Sequence, residues 1–437
     1  MFEIYFETYG CTANYNSSEI MKGLVKQAGM NLIFDEKFAD LIVINSCIVK
    51  GPTQEKIRRR VFDLLKKGKK IILAGCMPRL NQKKLKHENL FLLDTSQIKN
   101  IVSLIQDITQ GNYKQEKYLL KRNELKINLP KVSNEKYIGI TQISEGCFGE
   151  CTYCSVRLVK GILFSYPKEE ILNSIKKDLE AGCKEIWITS QDNASYGNEY
   201  EKYFFPELLK EILELKGNFF VRLGMMNPNN VLKILPELIE LYKHPKMFKF
   251  IHIPLQSGSN KILKAMKRKY TKEQFLHIIS EFKNQIPEIT ISTDVIVGFP
   301  EETEKDFEET FNLIKKIKPE ILNASKFWKR EGTIAEKLKP VERKEVIRRV
   351  SKLMKLHLEI CKENQKKYSN WEGKVFVDRV GFGKTYLARN ENYKLFAVHS
   401  TEKILGKTIK VKVKKVMPHY LISEKSNPQR SEDITEK

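Results

Sequence analysis

The run Tyr137-Ile138-Gly139-Ile140-Thr141-Gln142-Ile143-Ser144-Glu145-Gly146-Cys147-Phe148-Gly149-Glu150-Cys151-Thr152-Tyr153-Cys154 joins a short apolar strand to a loop with three cysteines. Their spacing is C-x3-C-x2-C. Thiolates this close wrap one face of a cubane iron–sulfur cluster, whose iron corners each take one cysteine. A set of three leaves one iron open to an outside ligand. An electron-transfer ferredoxin needs the fourth thiolate, so the spacing points to a cluster that does chemistry on a bound molecule. A zinc knuckle requires a fourth Cys or His nearby, and the next histidine downstream is His244.

Downstream of this run, strand patterns fall at residues 138–143, 185–189, 219–223, 248–253, 290–297 and 321–327. Helical patterns alternate with them at 168–181, 207–215, 231–242, 271–283 and 306–317. Six βα units predict a partial (β/α)6 barrel, whose active site gathers at the C-terminal strand ends. Cys147 follows the first strand, as that rule requires.

Upstream, strands are predicted at 2–7, 41–45, 70–74 and 90–93. Helices are predicted at 17–27, 53–67 and 96–106, the first capped by Ser17 or Ser18. This alternation predicts a second α/β unit, a doubly wound parallel sheet. Cys11, Cys47 and Cys76 each lie just past a predicted strand. In open α/β sheets those ends share one edge, where ligands bind, and helix N-termini there favour an anion. Scattered cysteines also serve as small buried hydrophobes. The same placement once per βα unit favours convergence. Cys183 and Cys361 have no such context and read as packing residues.

The chain divides into residues 1–112, a polar linker at 113–136 with a short strand, the barrel at 137–335, a helical connector at 336–368, a small all-β barrel at 369–426, and a disordered tail at 427–437. Of the 437 residues, lysines and arginines give a net charge of +23. A balance this basic points to a polyanionic partner, most often nucleic acid. Residues 372–425 hold twelve Lys/Arg against five Asp/Glu. There Ile409, Val411 and Val413 alternate with Lys410, Lys412 and Lys414, a half-buried strand with a lysine face outward. A small barrel with one basic face is a common nucleic-acid module, so these lysines are the candidate RNA contacts. No apolar run is long enough to cross a membrane. Met1-Phe2-Glu3-Ile4-Tyr5 lacks the features of an export signal, so the expected location is cytoplasmic. Eight cysteines in such a chain favour metal ligation over disulfides.

The cysteine loop resembles the radical S-adenosylmethionine (SAM) signature, including the aromatic Tyr153 before the last cysteine. Across nearly its whole length the chain resembles the radical SAM methylthiotransferases. The matching strings are Tyr9-Gly10-Cys11-Thr12-x-Asn14, Asn45-Ser46-Cys47 and Ala74-Gly75-Cys76-Met77-Pro78, followed by Ser190-Gln191-Asp192-Asn193, His252-Ile253-Pro254-Leu255-Gln256-Ser257-Gly258-Ser259, Asp294-Val295-Ile296-Val297-Gly298-Phe299-Pro300 and Lys329-Arg330-Glu331-Gly332-Thr333. The stretches 45–53, 190–192 and 224–228 look most like the archaeal and eukaryotic branch that acts on N6-threonylcarbamoyladenosine. Lys160-Gly161 and Ser325-Lys326-Phe327-Trp328 depart from the commoner family pattern.

This resemblance implies two [4Fe-4S] clusters and SAM. Cys147, Cys151 and Cys154 would hold the cluster that cleaves SAM to a radical. Cys11, Cys47 and Cys76 would hold a second cluster that donates sulfur. Tyr153, Gln191, Asp192, Arg222, Gln256, Ser257, Asp294 and Gly298 are the expected SAM contacts. A C-terminal TRAM barrel of OB-like form would bind RNA. The implied partners are a tRNA anticodon stem-loop, a flavodoxin- or ferredoxin-type electron donor and a sulfur donor. The implied reaction is methylthiolation of C2 of the modified adenosine. Alternatives are the branches acting on isopentenyl-adenosine or on a ribosomal-protein aspartate, and a non-catalytic iron–sulfur RNA-binding protein.

Overall fold

A computed structural model describes residues 2–49, 51–80, 85–121 and 123–426. The expected tail at 427–437 lies outside the described residues.

The first unit runs β1 (Glu3–Thr8), α1 (Thr12–Gln27), β2 (Asn31–Ile33), β3 (Leu41–Ser46), α2 (Gly51–Lys66), β4 (Lys70–Gly75), α3 (Met77–Leu80), β5 (Leu90–Asp94), α4 (Ile101–Thr109) and α5 (Gln115–Leu119). Its strands are parallel, in the order β2-β1-β3-β4-β5. β3 reads Leu-Ile-Val-Ile-Asn-Ser and is buried throughout, as a strand covered on both faces must be. One core packs α1 and α4 on one face, and a second packs α2 and Cys76 on the other. The doubly wound reading holds, with an added short edge strand, β2. The helix predicted from residue 17 begins five residues earlier, at Thr12, with Cys11 as its N-cap. Ser17 and Ser18 therefore do not cap it; both are buried in its interior. The linker contains a short helix, α5, in place of the expected strand. Its later part is not a solvated tether, because Lys126 and Ile127 are buried.

The second unit runs β6 (Ile138–Gln142), β7 (Ser144–Glu145), α6 (Val156–Lys160), β8 (Phe164–Ser165), α7 (Lys168–Glu180), β9 (Glu185–Thr189), α8 (Phe205–Glu214), β10 (Phe220–Leu223), α9 (Pro228–Val231), α10 (Leu235–Lys243), β11 (Phe250–His252), α11 (Asn260–Ala265), α12 (Lys272–Gln285), β12 (Thr290–Val297), α13 (Glu304–Ile317) and β13 (Ile321–Lys326). All six predicted strands are present. They form two parallel three-stranded halves, β6-β9-β10 and β11-β12-β13. A bridge between Val221 and Met247 links the halves. The predicted helix at 231–242 is split into α9 and α10, with Pro236 in the first turn of α10. The main core lies between the strands and the helices outside them.

The long helix α14 (Arg343–Gln365) leads to a closed barrel of β14 (Glu372–Val380), β15 (Thr385–Arg389), β16 (Leu395–His399), β17 (Thr408–Val416) and β18 (Leu421–Lys425), with its own apolar core. This barrel sits on the N-terminal ends of the larger barrel's strands. Tyr137, just before β6, meets the Phe376 ring edge-on at 6.2 Å. The Lys249 amide donates to the Glu391 carbonyl at 2.8 Å, and Thr290 Oγ1 to the Asn392 carbonyl at 2.6 Å. Tyr393 enters the base itself, with ring centroids 4.9 Å from both Phe248 and Phe250.

Candidate functional site: two facing cysteine sets

The N-terminal sheet order, 2-1-3-4-5, reverses direction between β1 and β3. At such a switch point the loops diverge and leave a crevice at the C-terminal strand ends. Cys11 follows β1, Cys47 follows β3, and Cys76 follows β4 in the next position. Gly10, at φ 110°, lies so close to Cys47 that a Cβ there would sit 2.8 Å from the Cys47 sulfur. The Cys76 amide donates to the Ser46 carbonyl at 3.0 Å. Asn14 Nδ2 donates to the Tyr9 and Ser46 carbonyls, and Asn45 Nδ2 to the Asn14 carbonyl and to Ser18 Oγ. These amides lock together the loops that bear the cysteines. The three predicted cysteines converge.

The second set lies in the loop after β6. The Cys147 sulfur accepts from the Gly149 amide at 3.1 Å, and the Cys151 sulfur from Arg268 Nη1 at 3.2 Å. A Cβ on Gly149 would stand 3.1 Å from the Cys147 sulfur and 3.7 Å from that of Cys151, so glycine leaves the space over the thiols open. Distant segments fix the loop: the Thr152 amide donates to the Met266 carbonyl, and the Thr152 carbonyl accepts from the Ala335 amide.

Both sets suit an iron–sulfur cluster. All eight cysteines are free. Burial pushes the Cys76 and Cys147 thiols up to about 12 and Cys154 to about 11. A thiolate is the ligating form, and in these surroundings it needs a positive charge beside it, which bound iron supplies. Among the described residues, no group of three His, Cys, Asp or Glu is arranged around a single ion. A cubane asks for something else, since each thiolate takes a different iron.

The two sets face each other across α6, which starts two residues after Cys154. Its Val159 packs in the same core as Cys76. Val156 and Lys160 bound this helix, four residues and about 6 Å apart at the helical rise. Lys160, at the end of α6, is buried and pairs with Glu145 at 2.9 Å and with Thr95 Oγ1. Lys126 pairs with the same carboxylate. Burial pushes Glu145 up, but the two lysines outweigh this and hold it down at about 2. From the other side comes Arg330, whose Nη1 donates to Gln54 Oε1 at 2.7 Å and Nη2 to the Val49 carbonyl at 2.6 Å. Arg330 is buried, and its charge acts on both Cys47 and Cys154.

A cleft of about 450 Å³ opens beside the barrel loop, lined by Cys147, Cys151, Asp192, Asn227, Arg268 and Lys269 among others. Asp192 is buried and accepts from the Asn227 amide, Asn227 Nδ2 and Asn230 Nδ2, at 3.0, 2.8 and 2.7 Å. Burial raises its carboxyl above the usual range despite these bonds. Gln191 Oε1 accepts from the Gly146 amide at 2.7 Å, next to the loop. Tyr153 lies under the loop against Phe299. Asp294 bonds His252 Nε2 at 2.8 Å. Gln256, at φ 67°, bridges to Val295 on the same strand end.

Three further expected contacts are held by packing within the barrel. Arg222 stacks on Trp187, Phe250 and Tyr393 at 5.0, 5.0 and 5.6 Å, the last belonging to the plug at the barrel's base. Ser257 is fully buried with its hydroxyl toward Thr310. A Cβ on Gly298 would strike Val346 of α14 at 2.4 Å. Lys410, Lys412 and Lys414 are exposed on β17, as expected. Glu372 pairs with Lys410 at 2.9 Å and Glu424 with Lys414 at 2.6 Å, which partly neutralises that face. Cys183 and Cys361 are buried apart from both sets. Arg268, which joins Cys151 to Asn227, carries no local sign of that role in the sequence. Its setting in Lys267-Arg268-Lys269 gives the appearance of solvated charge.

Residues 141–314 match the model of the Radical SAM superfamily, and residues 3–93 that of uncharacterized protein family UPF0004. The fold is similar to that of the radical S-adenosylmethionine methyltransferase TsrM from Kitasatospora setae, at TM-score 0.56 and 12% identity over 77% of each chain. Fold and cysteine loop thus define a radical SAM protein, a class that uses a [4Fe-4S] cluster and SAM. The chain is 38% identical to the probable threonylcarbamoyladenosine tRNA methylthiotransferase of Pyrococcus horikoshii, over 97% of this chain and 99% of that one. It is 31% identical to the Drosophila melanogaster threonylcarbamoyladenosine tRNA methylthiotransferase, over 98% of this chain and 78% of that one. This chain belongs to the threonylcarbamoyladenosine tRNA methylthiotransferase family.

Proposed function

We propose that the protein converts N6-threonylcarbamoyladenosine in the anticodon stem-loop of tRNA to its 2-methylthio form. The observation that carries this reading is the placement of two cysteine sets on either side of α6, with Arg330 acting on a cysteine of each. Cys147, Cys151 and Cys154 are the proposed ligands of the SAM-cleaving cluster, and Cys11, Cys47 and Cys76 those of the second. When bound, the clusters and SAM supply a radical that activates C2 of the adenine and a sulfur to place there, chemistry beyond the reach of side chains alone.

The chain's own residues orient and shield these groups. The Gly149 amide and Arg268 donate to sulfurs of the first set, which favours thiolate over thiol. Asp192, Gln191, Tyr153, Gln256 and Asp294 surround the loop and are the proposed SAM contacts. The Asn227 and Asn230 amides keep Asp192 aimed at the cleft. Lys410, Lys412 and Lys414 are proposed to bind RNA phosphates on the small barrel, reached by a stem passing along the outside of the larger one. In this reading residues 1–112 carry the sulfur-donating site, 137–335 the radical site and 369–426 a TRAM-type RNA module. The reaction runs in the cytoplasm with a flavodoxin- or ferredoxin-type electron donor and a separate sulfur donor.

Mass spectrometry of tRNA nucleosides from cells with and without the gene tests the assignment. The 2-methylthio nucleoside should vanish on deletion, with its unmodified precursor accumulating. Unchanged nucleosides would refute it.

A further inference from the structure

Where β13 ends, the chain reads Lys326-Phe327-Trp328-Lys329-Arg330, and its two rings point different ways. Phe327 turns inward: its amide donates to the Val297 carbonyl at 2.8 Å, and its ring meets Phe299 edge-on at 5.5 Å. Trp328 turns outward and is 50% exposed. It is nevertheless firmly seated. A Cβ on Gly51, the first residue of α2, would stand 2.3 Å from Cδ2 of the indole and 2.6 Å from both Cε3 and Cγ. Equal distances to the two atoms flanking the nearest one place Gly51 over a face of the ring, and any larger residue would push the indole off this seat. Lys326 and Lys329 on either side are exposed and make no ion pair among the described residues. A lone exposed apolar side chain needs no explanation. A rigidly backed indole between two unpaired cations, at the strand ends where the site lies, presents a flat apolar surface with positive charge along both edges.

We propose that Trp328 is a stacking platform for an unpaired nucleobase of the substrate RNA, the base on one side of the adenosine being modified. The platform rests on the function proposed above and adds to it a residue that orients the RNA at the site. Every base has a π face, so stacking on an aromatic ring holds a nucleotide whatever its hydrogen-bonding edge. Lys326 and Lys329 meet the neighbouring phosphates, contacts that position the strand without reading it. Two residues of extended chain, about 7 Å, separate Trp328 from Arg330, whose charge acts on both cysteine sets. That short span restricts the stacked base to a near neighbour of the reacting one. An acidic protein partner would satisfy the lysines but leaves the glycine-backed face without a use. The segment is one where the chain departs from the commoner family pattern, so the platform is a feature of this chain. Gly51 belongs to the N-terminal unit and Trp328 to the barrel, so the platform forms only where the two units meet.

The test uses the full chain with both clusters reconstituted. The probe is an anticodon stem-loop RNA carrying N6-threonylcarbamoyladenosine, with two further versions in which the base 5′ or 3′ of that adenosine is removed. Absence of binding to the complete RNA by the unmodified protein would sink the proposed function and this platform with it; the outcomes that follow bear on the platform alone. Removing one of the two bases should weaken binding by the unmodified protein by about tenfold or more. Trp328→Ala should weaken binding of the complete RNA by about the same factor, with an unchanged slope of log Kd against log salt, since no phosphate contact is lost. Trp328→Tyr, which still stacks, should stay within about threefold. On RNA already lacking the stacked base, Trp328→Ala should make no further difference, because ring and base act as a pair. Iron content per chain checks that each variant is folded, and the base-removal series needs no variant at all. Loss of less than about threefold from either removal would overturn the proposal. So would an equal loss for Trp328→Ala on complete and base-lacking RNA, which would make the ring a strut between the two units. An unchanged affinity of Trp328→Ala would do the same and leave the face to a protein partner.

Discussion

Truncating Tyr393 should release the small barrel from the base of the large one without unfolding it. Tyr393 is buried in an aromatic group with Phe248 and Phe250, which belongs to neither barrel's main core. Its ring also receives Arg389 at 4.0 Å and Arg222 at 5.6 Å. Removing a buried aromatic ring typically costs about 3–5 kcal/mol, and losing the cation–π contacts falls within the upper part of that range. For a unit of about 60 residues, at roughly 4–8 °C per kcal/mol, such a loss lowers its Tm by at least about 12 °C. Val375, Val377, Phe396 and Val411 form a separate core, so the small barrel keeps its strands. Tyr393→Ala should therefore split calorimetric unfolding into two transitions and expose the connector near residues 366–371 to protease. Iron content and SAM cleavage should persist, because both cysteine sets lie at the far end of the barrel. A single transition within about 2 °C of the unmodified protein would show that the plug does not hold the two barrels together.

Cys151→Ala should lower iron from about eight per chain to about four and stop SAM cleavage. Cys47→Ala should lose a similar share yet still release 5′-deoxyadenosine, and equal loss of both activities in a folded variant would refute separate roles. Replacing Lys410, Lys412 and Lys414 with Ala should flatten the log–log salt dependence of tRNA binding by up to about two units, at roughly 0.7–0.9 per phosphate contact. The pairs with Glu372 and Glu424 make a value below that ceiling the expected result, and an unchanged slope would move the RNA site to another surface. Burial raises Glu19 to about 7, even though Ser133 donates to it. Its stabilising contribution is complete below the unfolded value near pH 4.5 and is lost as pH rises through about 7. Glu19→Gln should then leave Tm unchanged at pH 4.5 and raise stability at pH 8.5 by up to about 3 kcal/mol. A gain of equal size at both pH values would contradict that cause.

Much of the architecture was legible because each unit repeats one βα pattern, and fully apolar strands such as β3 announce burial on both faces. The edge strand β2 was missed because three half-exposed residues, Asn-Leu-Ile, carry no periodicity. The start of α1 is hidden because its first two turns are polar for a reason outside the helix: Asn14 and Ser18 brace neighbouring loops. The six clustered cysteines were readable from local strings and strand ends. That Arg222 stacks on Tyr393 has no local sign, because the plug arrives about 170 residues later in the chain. The roles of Glu145, Lys160 and Arg268 are hidden for a similar reason. Their charges have meaning only once distant partners are in place.

The anchoring of the barrel loop also sets an order in time. Thr152 is held by Ala265 and Met266 and by Ala335, and Cys151 is touched by Arg268. None of these partners exists when Cys154 is polymerised, and the last follows about 180 residues later. At 5–20 residues per second, the nascent chain carries three unanchored thiols for roughly ten to forty seconds. Through that interval they are open to oxidation and to capture by stray metals. The N-terminal sheet is complete from the outset of that wait, but its crevice lacks the walls supplied by α6 and Arg330. Loading of both sites is therefore expected to be post-translational, and the window of vulnerability is written into the distance along the chain between the loop and its anchors.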